Sequence, residues 1–139
     1  MQKYRIIIDT NLWVSFLIGK KLPVLRVLLS NVDLTVYVCE HLIDEIKRAT
    51  EKPKIRKYIS ETDIVAVWEL IDKYCIYAGA CGEAVSPVRD ANDLYLLSLA
   101  ETVQADFILT GDKDLLTLQS HQQTEIVTYS EFIAEIFKP

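Results

Sequence analysis

Tyr4-Arg5-Ile6-Ile7-Ile8-Asp9-Thr10-Asn11 is the stretch that decides the fold. Three consecutive isoleucines suit a strand covered on both faces, the habit of a central strand in a parallel sheet. The acid that ends the run then sits at the carboxyl end of that strand. In open α/β sheets, ligands bind in the crevice beyond those ends.

Working outward, a short buried helix is expected over Leu12–Ile18, and a second after Pro23 with Val24, Val27 and Leu28 on one stripe. Leu34–Val38 reads as a second strand, and Glu40–Thr50 as a helix with Leu42, Ile46 and Ala49 on one face, ended by Pro53. Ser60-Glu61-Thr62-Asp63 opens another helix with a cap and early acids. Cys75–Ala78 follows as a third strand, and Gly79 to Asp90 as a loop. Asn92–Val103 is helical, Asp106–Thr110 a fourth strand, Lys113–Leu118 a short helix, Glu125–Thr128 a fifth strand and Ser130–Phe137 a closing helix. Alternating strands and helices predict an α/β three-layer sandwich with a central, mostly parallel five-stranded sheet and helices on both faces. At 139 residues, a single domain over 1–139 is expected.

Half the residues are apolar and a quarter charged, the mix of a globular rather than a disordered chain. No apolar run approaches the roughly 20 residues that span a bilayer, and the start lacks the pattern of a signal peptide. Cys39, Cys75 and Cys81 are odd in number and scattered, which predicts a reduced intracellular protein without a zinc site; with no membrane-length apolar run, a cytoplasmic location and no membrane partner are expected. The net charge of −5 argues against bulk electrostatic capture of nucleic acid. It leaves room for a nuclease, since an acidic cluster that binds cations sets its own local field.

Four acids occupy telling positions. Asp9 ends the first strand, and its ordinary role would be a turn residue capping the next helix. Glu45 lies beside Ile46 on the apolar stripe between Leu42 and Ala49, where an ionised carboxylate is costly unless paired or bound to a cation. Its ordinary role would be a stripe-edge residue whose head reaches water. Asp93 starts the stripe of Leu96, Leu97 and Ala100; a first-turn acid also suits the helix dipole. Asp112 and Asp114 follow the strand Phe107-Ile108-Leu109 across Gly111, where turn-and-cap chemistry explains one of them. Jointly, acids at strand ends, helix starts and a sheet-facing stripe make a hard-cation site for Mg²⁺ or Mn²⁺.

Asp9-Thr10-Asn11, Ile43-Asp44-Glu45-Ile46, Arg89-Asp90-Ala91-Asn92-Asp93 leading into Leu96-Leu97-Ser98-Leu99-Ala100, and Thr110-Gly111-Asp112-Lys113-Asp114-Leu115-Leu116 together resemble the PIN-domain family of metal-dependent ribonucleases. Within it, the chain looks most like the toxins of bacterial VapBC-type toxin–antitoxin pairs. The resemblance implies that Asp9, Glu45, Asp93 and Asp112 hold a divalent metal and carry catalysis. Asp114 would be an accessory acid or the fourth ligand. Thr10, Asn11 and Thr110 would supply hydrogen bonds around the ligands. It further implies an RNA substrate, a small antitoxin partner and a homodimer, with some apolar residues of Leu12–Leu29 forming the dimer face. Asn92 stands where this subgroup often carries an acid; Asp93 is taken as the ligand because it alone starts the apolar stripe.

Lys47, Arg48, Lys52, Lys54, Arg56 and Lys57 face a single acid, Glu51, in the same run. Such a run is commonly a solvated face; placed after the helix of Glu45, it also suits a phosphate track for RNA. Tyr58 is the only aromatic near it, so base stacking has little support there. Two enzyme rivals fail on residues. A haloacid-dehalogenase-type fold needs a second acid two positions after Asp9, and Asn11 is there. A response-regulator receiver needs an acid pair near its first strand, and Thr10 and Asn11 follow Asp9 instead. The non-catalytic alternative, a PIN-like module that only binds RNA or protein, would be expected to lack one of the four acids, and all are present.

Overall fold

The computed structural model describes residues 3–79 and 94–137. Strand β1 (Tyr4–Ile8) runs at the centre, and Ile6, Ile7 and Ile8 are fully buried. It is flanked by β2 (Leu34–Val38) and β4 (Phe107–Leu109), both parallel to it. The short β3 (Ile76–Tyr77) extends the sheet beyond β2, and β6 (Thr124–Val127) extends it beyond β4, again in parallel. Two residues, β5 (Ser120–His121), close the far edge antiparallel to β6, giving the order β3-β2-β1-β4-β6-β5.

The expected α/β sandwich is therefore present, with one strand more than the five anticipated. The added strand escapes a sequence reading because its turn is built without glycine. Gln122, in the turn, takes the positive φ of 53° that such hairpins usually give to Gly or Asn, and Gln119, which ends α7 just before β5, has a φ of 64°.

Helices flank the sheet: α1 (Thr10–Ile18), α2 (Leu22–Ser30), α3 (Glu40–Glu51), α4 (Pro53–Arg56), α5 (Glu61–Tyr74), α6 (its described part Leu94–Val103) and α7 (Lys113–Leu118). Helix α2 packs on β2, α6 on β1 and β4, and α7 on β6, while α1 packs against α3 and α2 against α5. Pro53 ends α3, as expected, and also starts α4 from its first position, where a missing N–H costs nothing. Ser60 and Asp63 form a reciprocal capping box at the start of α5. After β6, α8 (Tyr129–Glu131) is capped by Thr128, and the closing helix then widens into a π-helical turn over Phe132–Ile136. Phe132, fully buried, meets the edges of Tyr4 and Phe107 and so seals one end of the core.

No helix among the described residues is long and apolar enough to cross a membrane. One sequence expectation is corrected: Cys39 is disulfide-bonded, so the thiols are not all reduced. Cys75 is free, and burial pushes its thiol up to about 12, which removes it from nucleophilic chemistry at neutral pH.

Candidate functional site

The strand order reverses between β1 and β4. The chain leaves β1 towards β2 and β3, then returns to β4 on the other side. Parallel strands that diverge this way open a crevice beyond their carboxyl ends. The residues at those two ends are Asp9 and Thr110, and the backbones there are joined by Asp9 N–H donating to Leu109 C=O at 3.0 Å.

Asp9 is only 5 % exposed. Its backbone begins α1 as the N-cap, with its carbonyl accepting from Leu12 and Trp13, yet its carboxylate makes no side-chain cap bond, and the one backbone donor acting on it is that of Thr10, the first residue of the helix. The carboxylate accepts from Thr110 Oγ1 at 2.7 Å. Thr110 is itself fixed because its Oγ1 accepts from the Asp112 N–H at 3.0 Å. Burial raises the Asp9 carboxyl above its ordinary range; the hydrogen bonds of Thr110 and of the Thr10 backbone oppose this, and the charges of Glu45 and Asp112 reinforce it. The capping role is thus excluded for this side chain. The charges of Glu45 on α3 and of Asp112 in the β4–α7 turn thus both act on Asp9 at the end of β1.

Glu45 is half-buried. Its Oε1 accepts from Thr10 Oγ1 at 3.1 Å and from the Tyr95 hydroxyl. The two hydroxyls lie 3.4 Å apart, so α1, α3 and α6 meet at this carboxylate. Burial, with the hydrogen bond to Glu45, pushes the Tyr95 phenol far up, keeping it a donor at any accessible pH. Tyr95 is a site residue that the sequence patterning does not single out. Its one signal is a polar-tipped aromatic among the leucines of the first described turn of α6, just after the RDANDL segment. His41, four residues before Glu45 on α3, lies flat on the Tyr95 ring at 4.0 Å between centroids and 6° between planes.

Asp112 is half-buried and caps α7, its Oδ1 accepting from the Asp114 N–H at 2.8 Å. The ordinary cap reading therefore holds for one of its oxygens and leaves the other for the crevice. Asp114 is exposed. Asn11 is exposed as well, while Thr10 and Thr110 are buried and hydrogen-bonded to the acids. Asp93, with Arg89, Asp90 and Asn92, lies outside the described residues. Among the described residues, no three His, Cys, Asp or Glu side chains close to metal-holding distance. The donor chemistry nevertheless fits a hard cation: carboxylate oxygens, one of them buried with its ionised form disfavoured and with anionic neighbours.

The cations Lys47, Arg48, Lys52, Lys54, Arg56 and Lys57 are all exposed. Lys47 and Arg48 stand within a turn of Glu45 on α3, whereas Lys52 begins roughly 10 Å further along the axis. Arg56 is engaged by Glu61 at 2.7 Å.

No curated protein and no solved structure matches the chain. A PIN domain family model matches residues 5–114, from β1 through Asp112 and the first two residues of α7. PIN domains are generally nucleases that bind nucleic acid and typically use divalent metals. With most of its length matched, from the first central strand to the start of α7, the chain belongs to the PIN-domain family.

Proposed function

We propose that the protein is a divalent-metal-dependent endoribonuclease, and that it acts as the toxin of a VapBC-type toxin–antitoxin pair. The observation that carries the nuclease reading is the buried Asp9 carboxylate at the sheet's switch point, held by Thr110 rather than spent on a helix cap, and acted on by the charges of Glu45 and Asp112. An anion placed so, with anions for neighbours, is costly, and a bound cation offsets that cost.

Asp9, Glu45, Asp93 and Asp112 are the ligands in this reading. Asp112 is preferred to Asp114 because its charge acts on Asp9, whereas Asp114 is exposed. A bound Mg²⁺ or Mn²⁺ supplies charge compensation for a phosphodiester and makes water nucleophilic at neutral pH. The chain's own part is orientation. Thr110 and the Thr10 backbone N–H fix Asp9, Tyr95 and the Thr10 hydroxyl fix Glu45, and the cap of α7 fixes Asp112. Lys47 and Arg48, nearest the acids, and Lys52, Lys54, Arg56 and Lys57 beyond them would track the RNA backbone.

The toxin assignment, the antitoxin partner and a cytoplasmic location rest on the sequence resemblance. A homodimer would use α2, where Val24 and Val27 are exposed beside an apolar groove of about 220 Å³ shared with Tyr129, Ile133 and Phe137.

Incubation of a mixed RNA pool with the protein in Mg²⁺ or Mn²⁺, and in EDTA, tests the nuclease reading. Cleavage that needs the divalent ion is expected. Equal cleavage in EDTA, or none under any divalent ion, overturns it and leaves the binding-module alternative.

A further inference from the structure

Base stacking has little support in the basic run, where Tyr58 is the only aromatic. An aromatic surface exists elsewhere, at the acids themselves. The lower ring, Tyr95, is 6 % exposed and anchored twice, by its hydroxyl on Glu45 and by its burial in the core. The upper ring, His41, lies parallel to it at 4.0 Å and 6°, and His41 is exposed. One imidazole face is covered by Tyr95, so the open face is the other. A flat ring held in place by a buried partner is a prepared surface for a third flat ring, and every nucleobase has one.

The position is also telling. His41 and Glu45 are four residues apart on α3 and share one face of the helix. The Tyr95 beneath His41 is the residue that holds Glu45. The stack and Glu45 are therefore joined through Tyr95, at the meeting point of α1, α3 and α6.

We propose that His41 is a nucleobase-stacking residue, receiving on its open face the base of a nucleotide next to the cleaved phosphodiester. This inference rests on the nuclease reading and deepens it, assigning a single-stranded substrate whose bases are free to unstack. Stacking is sequence-tolerant, so the platform sets the position of the strand rather than the identity of the base.

Steady-state cleavage of a short single-stranded RNA by the parent, His41→Ala and His41→Phe tests it, using the intact oligonucleotide and one made abasic beside the cleaved bond. His41→Ala is expected to raise KM on the order of tenfold, with kcat nearly kept. His41→Phe should restore most of the loss. The abasic substrate should raise KM for the parent, and His41→Ala should add nothing further on it. Mn²⁺ affinity should be the same in all three proteins, which separates stacking from damage to the acids. Parent-like KM in His41→Ala, a Phe variant as weak as Ala, or multiplying losses on the abasic substrate would overturn the stacking role while leaving the nuclease intact. A parent that cleaves no RNA under any divalent ion overturns the nuclease reading and this one with it.

Discussion

The Asp9 carboxylate accepts the Thr110 hydroxyl at 2.7 Å across 101 residues of sequence, while the helix that Asp9 begins goes without a side-chain cap. A capping aspartate commonly contributes about 1 kcal/mol to a helix. Forgoing that, and burying the charge besides, is a cost that a purely structural residue has no reason to carry. The two partners end neighbouring strands at the switch point, so the bond also ties the two halves of the sheet where the crevice opens.

The first prediction concerns that charge. Burial raises the Asp9 carboxyl above its usual 3.8. The folded state then binds more protons than the unfolded one between 3.8 and the raised value, so stability without metal falls as pH rises through that window and stays lower above it. Asp9→Asn removes the charge and keeps the shape. At pH 7 in EDTA it should melt at or above the parent, with the difference shrinking below pH 3.8. In Mn²⁺ at a hundred times the dissociation constant the parent should gain about 2.7 kcal/mol and the variant much less. A variant that melts well below the parent in EDTA, with equal gains from metal, would return Asp9 to a structural role.

Tyr95→Phe isolates the hydroxyl on Glu45. The ring, its burial and its stack with His41 are kept, and one donor is lost from a half-buried carboxylate. A stability loss of about 1 kcal/mol is expected. Activity should fall while KM for RNA changes little, because the hydroxyl positions an acid and does not meet the strand. Thermal melts and steady-state kinetics check this; unchanged kcat would make Tyr95 a core residue only.

The basic run is tested by salt. Replacing Lys52, Lys54 and Arg56 with Ala should weaken RNA binding and reduce the dependence of log K on log salt by roughly 0.7 for each phosphate that is no longer neutralised. Arg56 is already shared with Glu61, so its part should be the smallest. Mn²⁺ affinity should be unchanged. An identical salt slope in the triple variant would return the run to a solvated surface.

Val27 is 63 % exposed on α2. If that face joins two copies, sedimentation should show a dimer for the parent and a monomer for Val27→Asp, with the fold intact. A parent that sediments as a monomer contradicts the homodimer.

Much of this architecture is legible because its signals are local. Three isoleucines running into an acid, Ser60 three residues before Asp63, and Pro53 after the Leu42–Ile46–Ala49 stripe each fix an element through their immediate neighbours. What escapes is non-local or irregular. The β5 edge depends on glutamines with positive φ, which no turn rule anticipates. The Glu45 environment is assembled from α1, α3 and α6. Spacing suggests that Glu45 leaves solvent, but not that Tyr95 receives it or that His41 roofs Tyr95. The disulfide at Cys39 is invisible in the sequence because cysteine spacing says nothing of approach in space. The ordinary cap reading separates the acids in an instructive way: it holds for one oxygen of Asp112 and fails for Asp9.

The central claim is that the acids at the switch point hold a divalent cation, and calorimetric titration with Mn²⁺ tests it most directly. Saturable binding to the parent and to Asp114→Asn is expected, with its loss in Asp9→Asn and Asp112→Asn. A parent that takes up no Mn²⁺, or an Asp9→Asn variant that binds it as tightly as the parent, would contradict it.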